Sequence, residues 1–539
     1  MNKSLSSLPG LVAVCCLTLA ALVSALIPIN SADFWWHLKT GDVIRANFAL
    51  PASDPFTYSP AIDSIDPERP RLVLRQYWLG QVVYSLVHSM AGLAGIAWLR
   101  ATLCAGMILA TALFLWRTTR KTVALLLLLP LVLSLRVLLE DSDRPQLMVF
   151  ATTLLVLIVL EYCVRGGDRR WLVLLPPLQL LAAQLHPGFA VGTMAVFIYA
   201  GCAFGEERLR LLRRPLVIVA VLSLLFFFAN PNGLDLLRIL VGNAFGVTAA
   251  DSMEFRSPFS LWPYVSNDAG WRAAFALLLL ALPTTGVLLA RRRWSAALVL
   301  GGLLLATCLS MRYFGFLLPA AALFAGLALG EFKAAERLLR WISGGVTAVI
   351  VVGALYLVAF PAHPNRGRLT VLLQPGYFPV PAADFLAGSD LPGKLFNTEA
   401  WGGYLIYRLW PGRQVFIDTR TLSRQVLAEQ EEIVRDTPRG RELLAHYGIG
   451  TVVLPLLNVY TGEVMPLVRR LGADPGWGIV HLDEMAVVFA RKPNTLPAVA
   501  PQLLWRNILG MVEANQPNFP WAPGYQGTRH EALLRLRGG

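Results

Sequence analysis

The chain has 539 residues, of which 55% are hydrophobic and only 15% are charged, and its mean hydropathy is +0.55. Soluble globular proteins carry about 25% charged residues, so this composition excludes an ordinary soluble protein. The formal net charge of +13 comes largely from short clusters of arginine and lysine between apolar runs. It therefore does not indicate a nucleic-acid partner.

Apolar runs long enough to cross a membrane recur from Leu11 to Phe360 and then stop. A single crossing takes about 20 mostly apolar residues. The runs predict eleven spans, at roughly 9–29, 92–116, 122–138, 146–164, 171–185, 188–205, 215–230, 271–290, 295–310, 313–330 and 341–360. The sequence thus predicts an α-helical polytopic membrane protein with a soluble C-terminal domain.

Basic residues concentrate in alternate loops between these runs. Arginine and lysine in short loops stay on the cytoplasmic side of a membrane. The basic loops contain Arg117, Arg120 and Lys121; Arg165, Arg169 and Arg170; Arg208, Arg210, Arg213 and Arg214; Arg291, Arg292 and Arg293; and Lys333, Arg337 and Arg340. The intervening loops are poor in these residues. This alternation predicts a cytoplasmic N-terminus. An odd number of spans then places residues 361–539 outside.

The first apolar run has a second interpretation, as a cleaved signal peptide. Lys3 and the small residues Ser24 and Ala25 fit that pattern. Against it, the run is long for a signal peptide, and cleavage would detach it from Asp33 just beyond. A membrane span that stays attached is therefore favoured.

The first outer loop, residues 31–90, is rich in aromatic and polar residues. Asp33 and His37 are four residues apart, so on a helix they share one face and can act as a carboxylate and imidazole pair. Trp35 and Trp36 between them suit the interfacial zone of a membrane. In the alternative interpretation, Asp33 only caps the helix and the tryptophans anchor it.

Further polar residues lie at the outer ends of other predicted spans. Ionisable groups at membrane depth are costly unless they face a cavity or pair with each other. Because these residues share one side, they predict a single outward-facing polar cavity. They are Glu140, Asp141, Asp143 and Arg144; Gln184 and His186; Asn230 and Asn232; Glu254 and Arg256; and Arg312 and Tyr313.

Several short motifs resemble those of the GT-C superfamily of membrane glycosyltransferases, and the resemblance is strongest with bacterial proteins that share them. In chain order the motifs begin at Asp33 (Asp-Phe-Trp-Trp-His-Leu), Asp54 (Asp-Pro-Phe-Thr-Tyr), Tyr77 (Tyr-Trp-Leu), Arg144 (Arg-Pro-Gln), His186 (His-Pro-Gly), Asn230 (Asn-Pro-Asn-Gly), Glu254 (Glu-Phe-Arg-Ser-Pro), Trp401 (Trp-Gly-Gly-Tyr-Leu) and Phe416 (Phe-Ile-Asp-Thr-Arg). The resemblance implies a catalytic aspartate in the first outer loop and an extracytoplasmic domain. It also implies a polyprenyl-phosphate-linked sugar as donor and a location in the bacterial inner membrane.

Transfer from a lipid-phosphate sugar requires a base for the acceptor hydroxyl and cations for the departing phosphate. Asp33 is the predicted base, with His37 as its neighbour or as a substrate contact. Arg144 and Arg312 are predicted to bind the phosphate, because a guanidinium offers a planar bidentate fork. The other predicted substrate-binding residues are Asp54, Asp141, His186, Glu254 and Tyr313. A lone histidine at the end of a span, such as His186, is more often structural.

No cofactor is predicted with certainty, and a divalent metal stays open. Some branches of the GT-C superfamily carry an Asp-Asp or Glu-x-Asp pair directly after the first span, and this sequence lacks one. All six cysteines, Cys15, Cys16, Cys104, Cys163, Cys202 and Cys308, fall in predicted spans. Neither a disulfide framework nor a thiolate metal site is therefore indicated.

From about residue 376 the pattern is that of a soluble α/β domain. Predicted strands are 394–397, 414–418, 451–454, 477–482 and 485–490, and predicted helices are 422–436 and 440–447. The pair Gly402-Gly403 predicts a tight helix entry that packs on the sheet, because it lacks the context of a phosphate loop. Asp418 and Arg420 either face the membrane cavity or pair with each other. The predicted division is a membrane domain 1–360, an outer domain 361–493 and a tail 494–539.

Two classes of function fit these features. The first is a membrane glycosyltransferase whose partners are membrane lipids, a lipid-linked sugar donor and a glycan or secreted-protein acceptor. The alternative is a non-enzymatic transporter or assembly protein with an extracytoplasmic interaction domain. A transporter is expected to show repeated halves and helices broken at mid-membrane. The absence of an internal repeat and the clustering of polar residues at one rim favour the enzyme.

Overall fold

The computed structural model describes residues 8–59, 69–139, 143–237, 253–331, 336–359, 372–373, 376–420, 422–458, 461–492, 499–515 and 525–537. Contacts within the chain define two compact units. The helical unit contains Met1–Ser31, Ile44–Ala46 and Arg75–Leu372, and the sheet unit contains Ala32–Val43, Asn47–Leu74 and Leu373–Gly539.

The first two thirds of the chain fold into α-helices, with short 3-10 segments before several of them. In chain order they are α1 (Leu8–Ser24), α2 (Phe34–Asn47), α3 (Arg69–Arg75), α4 (Trp78–Thr119), α5 (Leu128–Leu139), α6 (Gln146–Val164), α7 (Leu175–Leu185), α8 (Phe189–Cys202), α9 (Arg213–Phe227), α10 (Pro258–Val265), α11 (Ala269–Ala290), α12 (Trp294–Leu309), α13 (Phe314–Gly330) and α14 (Glu336–Ala359). Within the helical unit, α1 packs against α4 and α14, and α11 packs against α5, α12 and α13.

The helical unit has apolar side chains both in its core and on its surface. Five of the described helical segments are long and apolar enough to cross a membrane: Leu8–Ala25, Trp78–Thr119, Gln146–Val164, Ala269–Ala290 and Met311–Gly330. Shorter apolar helices are Thr122–Leu135, Phe189–Cys202, Trp294–Leu309 and Gly344–Ala359. Ile218, Leu282 and Leu305 are exposed by 59%, 66% and 64%, which suits contact with lipid rather than water. Each predicted span overlaps helical structure, while the number of crossings stays a prediction.

Helix α4 is longer than the span predicted within it. It runs for 42 residues and is interrupted at Gly92, whose φ of 59° and ψ of −155° are not helical. A glycine tolerates this backbone conformation because it has no Cβ. The predicted span began at this residue, so the prediction found the second arm of the helix and missed the first, Trp78 to Ala91.

Ion pairs join the ends of helices α6, α12 and α13 within the helical unit. One group of charged residues lies in the last turn of α6 and in the loops after α6, α8, α11 and α13. We call it the basic-loop cluster: Glu161, Arg165, Glu206, Arg291, Arg293 and Glu331. All of its members except Glu161 come from loops that the sequence predicts to be cytoplasmic. At the opposite ends of α6 and α13, Arg144 and Arg312 both lie near Glu254. The contacts of the basic-loop cluster bring together four of the loops that the sequence predicts to be cytoplasmic, while the topology itself stays a prediction.

The absolute orientation is a testable prediction. We expect reporter fusions after Arg293 and after Arg366 to give opposite signals, because the alternation of basic loops puts them on different sides. Alkaline phosphatase, which is active outside, and green fluorescent protein, which fluoresces inside, provide the measurement. A fusion after Gly166 is the control and should match the fusion after Arg293. The same compartment for Arg293 and Arg366 would refute the topology.

The sheet unit contains the remaining helices and a four-stranded sheet. The helices are α15 (Val380–Ala387), α16 (Glu399–Leu409), α17 (Arg424–Val434), α18 (Pro438–His446), α19 (Pro466–Ala473), α20 (Pro501–Asn515) and α21 (Tyr525–Arg537), and the strands are β1 (Lys394–Asn397), β2 (Ile449–Pro455), β3 (Trp477–Leu482) and β4 (Ala486–Arg491). The strand order is β1-β2-β4-β3, with β1 parallel to β2 and the other pairs antiparallel. The predicted closing hairpin is therefore present.

The predicted strand 414–418 is wrong, although Val415 to Asp418 are buried. Val415 forms a single bridge with Thr57 from the first loop. Beyond it, the side chain of Asn397 replaces a strand partner: its oxygen accepts a hydrogen bond from the Phe416 amide at 2.8 Å, and its amide donates to the Ile417 carbonyl at 2.8 Å. Side chains satisfy the backbone here, so no ladder of strand hydrogen bonds forms.

Two segments that the sequence analysis assigned to other domains belong to the sheet unit. The first loop was counted with the membrane domain, yet much of it groups with the sheet unit, because Tyr58 is part of its apolar core and donates a hydrogen bond to the Leu395 carbonyl. The predicted tail also packs there. Helix α20 contributes Leu504, Ile508 and Val512 to the same core, all nearly inaccessible to solvent.

Candidate active site

Asp33 lies directly before helix α2 and is held by two hydrogen bonds to one oxygen. Its Oδ1 accepts from the indole of Trp36 at 3.1 Å and from the hydroxyl of Thr419. The Asp33 side chain makes no capping hydrogen bond to the helix. The interpretation of Asp33 as a simple helix cap is therefore wrong, and its carboxylate is oriented by side chains instead.

His37 lies one turn after Asp33 and is almost completely buried. Its backbone amide donates to the Asp33 carbonyl at 3.2 Å, which confirms that the two residues belong to one helical turn. The imidazole packs against the indole of Trp36, with ring centroids 3.6 Å apart. The role of His37 as neighbour of the base stays a prediction.

Asp54 takes part in a buried ion cluster of the sheet unit. Its carboxylate accepts hydrogen bonds from the Arg420 guanidinium at 2.9 and 3.2 Å and from the Phe56 amide at 3.1 Å. Arg420 also donates to Asp418 at 2.7 and 2.5 Å, so the prediction of local pairing is confirmed for these two residues. Burial alone lowers the pKa of Arg420, but the charges of Asp418 and Asp54 outweigh it and raise that pKa above the ordinary value.

Helix α16 packs closely against both the segment that carries Asp33 and the segment that carries Thr419. A Cβ on Gly402 would lie 2.1 Å from the Ile417 carbonyl oxygen, and one on Gly403 would lie 2.4 Å from the Ala32 carbonyl oxygen. Only glycine permits both approaches. The pair is closely packed near the start of α16, as predicted, but its neighbours are the segments that carry Thr419 and Asp33 rather than the predicted sheet.

A second group of predicted residues lies in the helical unit, and we call it the Glu254 cluster: Arg144, His186, Glu254 and Arg312. The Glu254 carboxylate is 3.4 Å from Arg144 and 4.0 Å from Arg312. His186 lies in the loop between α7 and α8, where burial and then the charges of Arg312 and Arg144 lower its pKa well below the ordinary value. The imidazole is therefore neutral at pH 7 and sits beside two cations.

Tyr313, Asp141 and Asp143 are further residues that the sequence predicted for the site or its cavity. Tyr313 ends a 3-10 segment, Met311–Tyr313, directly before α13. Asp141 lies outside the described residues. Asp143, which the sequence grouped with the polar cavity, forms a buried ion pair with Arg100 at 2.6 and 2.7 Å, and Arg100 also donates to the Ala25 carbonyl at 3.0 Å. Asp143 thus anchors the end of α1. That all of these residues share one cavity stays a prediction.

Thr419 is the residue of this site that the sequence did not single out. Its hydroxyl reaches Asp33 across 386 positions of the chain, a separation that no local pattern reveals. The one feature of the sequence that could have indicated Thr419 was its position between Asp418 and Arg420 in the Phe-Ile-Asp-Thr-Arg motif. Among the described residues, no group of three or more histidine, cysteine, aspartate or glutamate side chains could hold a metal ion.

No family model matches the chain, and neither does any curated protein. Solved structures do share its fold. The Archaeoglobus fulgidus oligosaccharyltransferase in its apo form matches over 94% of this chain and 78% of its own, with a TM-score of 0.51 and 12% identity. ArnT from Cupriavidus metallidurans, bound to undecaprenyl phosphate, matches over 93% of this chain and 100% of its own, with a TM-score of 0.52 and 14% identity. The chain has a GT-C fold.

A third match is AglB, the oligosaccharyltransferase of Archaeoglobus fulgidus, in complex with an inhibitory peptide and a dolichol-phosphate. It covers 90% of this chain and 75% of its own, with a TM-score of 0.54 and 11% identity. At identities this low, the structural match shows the fold alone, and the substrate has to be argued from the residues. The resemblance seen in the sequence motifs is confirmed at this level.

Proposed function

We propose that this protein is a membrane glycosyltransferase that uses a polyprenyl-phosphate-linked sugar. It transfers the sugar to a lipid-linked glycan or a secreted protein on the outer face of the bacterial inner membrane. Two proteins of the same fold are bound to polyprenyl phosphates, namely dolichol-phosphate and undecaprenyl phosphate. Their likeness over at least nine tenths of this chain supports a lipid-phosphate substrate here.

The observation that carries the proposal is the arrangement around Glu254. Two guanidinium groups, from Arg144 and Arg312, approach one carboxylate at 3.4 and 4.0 Å. Both distances are longer than those of a close charge-assisted hydrogen bond, about 2.7–2.9 Å. Two guanidinium groups and a neutral imidazole therefore lie together around this one carboxylate. A phosphate supplies the oxygens that two guanidinium forks bind best.

The proposed chemistry is a displacement at the anomeric carbon of the donor. The acceptor hydroxyl oxygen forms a bond to that carbon, the bond between the carbon and the phosphate oxygen breaks, and the lipid phosphate leaves with the electron pair. Asp33 takes the proton of the acceptor hydroxyl. Arg144 and Arg312 stabilise the negative charge that develops on the leaving phosphate.

The proposal is tested by replacing Arg312 with methionine. We expect binding of undecaprenyl phosphate in nanodiscs to weaken by about 10–100-fold, because a hydrogen bond to a charged group contributes about 1.5–3 kcal/mol. Arg312→Lys should lose less, since it keeps the charge without the fork. Arg210→Met removes an arginine that is 71% exposed and serves as the control.

Sugar transfer is measured on the same preparations. Wild-type protein should transfer sugar from a pool of polyprenyl-phosphate sugars to a membrane or secreted acceptor, and Arg312→Met should transfer it slowly. If Arg312→Met binds the lipid phosphate as well as wild type does, the assignment of the phosphate site is wrong. If folded wild-type protein shows no transfer with any such donor, the proposed activity is wrong.

A further inference from the structure

The hydrogen bond from Thr419 to Asp33 joins two segments that are far apart in the sequence, so helix α2 alone could not provide it. The two donors to Asp33 Oδ1 come from different parts of the chain: Trp36 from the same helix and Thr419 from the segment after β1 and α16. A single local donor leaves a carboxylate able to turn about its side-chain bonds. A second donor from a distant segment fixes the plane of the carboxylate, and with it the direction of the other oxygen.

The position of Thr419 is itself fixed by its two neighbours. The Asp418 carboxylate accepts from the Arg420 backbone amide at 2.9 Å and so closes a tight turn with Thr419 in the middle. The Arg420 side chain is completely buried and binds Asp418 and Asp54 together. Its guanidinium also lies over the ring of Trp36, at 5.7 Å from the centroid. One buried cation thus contacts both donor segments of Asp33.

We propose that Thr419 is a positioning residue for Asp33, and that Arg420 holds Thr419 in place through Asp418 and Asp54. The inference rests on the proposed function, because it takes Asp33 as the base. If the hydrogen bond instead only ties the start of α2 to the segment that carries Thr419, its loss should affect stability without altering the behaviour of the carboxylate. The two interpretations differ in the pH dependence of the reaction.

The test compares Thr419→Val, which has nearly the same shape but no hydroxyl, with Thr419→Ser, which keeps the hydroxyl. For Thr419→Val we expect kcat to fall by about 10–100-fold, the scale of a small misplacement near the reacting atoms, with little change in KM for the lipid donor. Because the lost hydroxyl contacts the carboxylate that takes the proton, the acid limb of the kcat profile should also move. Thr419→Ser should restore both.

Thr451→Val is the matched control. Thr451 is completely buried in the sheet unit, and its hydroxyl donates to the Pro392 carbonyl at 2.8 Å. This variant should lose stability without a change in the pH profile. If Thr419→Val behaves in the same way as Thr451→Val, with kcat and profile preserved, the positioning role is refuted.

A second measurement separates this inference from the proposed function. Infrared spectra of full-length protein with isotope-labelled aspartate follow the Asp33 carboxylate directly, with its band assigned by its loss in Asp33→Asn. The frequency of this band should shift in Thr419→Val, because the hydroxyl no longer binds the carboxylate, and return in Thr419→Ser. A shift in protein that transfers no sugar would uphold the positioning and refute the activity. Transfer without any shift would refute the positioning.

Discussion

Asp33→Asn abolishes sugar transfer while the protein still folds and inserts, if Asp33 is the base. The amide oxygen of asparagine can still accept hydrogen bonds from Trp36 and Thr419, so the contacts that hold α2 survive the change. An amide cannot take the proton of the acceptor hydroxyl. The rate should therefore fall by about 10²–10⁴-fold, the range for loss of a positioned general base.

The measurement is transfer from polyprenyl-phosphate sugars by equal amounts of wild type and variant in nanodiscs. Asp42→Asn is the matched control, since Asp42 is a second aspartate on the same helix and should keep nearly full activity. Turnover by Asp33→Asn close to that of wild type would remove the assignment of the base. Asp141 would then be tested first, because Arg420 already occupies both oxygens of Asp54.

The sequence predicted most reliably those features that repeat along the chain. Hydropathy located the apolar helices that overlap the predicted spans, because a helix that faces lipid must be apolar over its length. The hairpin of β3 and β4 was also predictable, since its two strands are neighbours in sequence and Asp483 occupies the turn. There the carboxylate accepts from the backbone amides of Met485 and Ala486 at 2.8 and 2.7 Å.

Contacts between distant segments were not predictable from one sequence. Residues 414–418 have the apolar pattern of a strand, but the side chain of Asn397 supplies the hydrogen bonds that a neighbouring strand would give. The first loop was assigned by its place between two predicted spans, whereas Tyr58 packs in a core formed mainly by residues after 390. Asp33 and Asp54 were recognised as polar residues, but their partners Thr419 and Arg420 could be identified only from the fold.

The basic-loop cluster gives the largest expected effect on stability. Arg293 is 1% exposed and donates to Glu161, which is fully buried, at 2.6 and 2.7 Å. It also lies 3.4 Å from Glu206, which is equally buried. Removal of one partner from a buried ion pair leaves an uncompensated charge, which costs about 3–5 kcal/mol. We therefore expect Arg293→Met to lower the free energy of unfolding by about that amount.

Arg291→Met is the control for this prediction, because it removes the same charge from the same loop. Arg291 and its partner Glu331 are 28% and 27% exposed, so their ion pair should contribute about 1 kcal/mol or less. Any effect of the loop's charge on membrane insertion is common to both variants. The measurement is denaturant unfolding in detergent micelles, together with the double variant Glu161→Gln/Arg293→Met. The double variant should recover part of the loss, since it also removes the buried carboxylate that has lost its closest cation. Equal losses for Arg291→Met and Arg293→Met would show that the buried pair contributes no more than the half-exposed one.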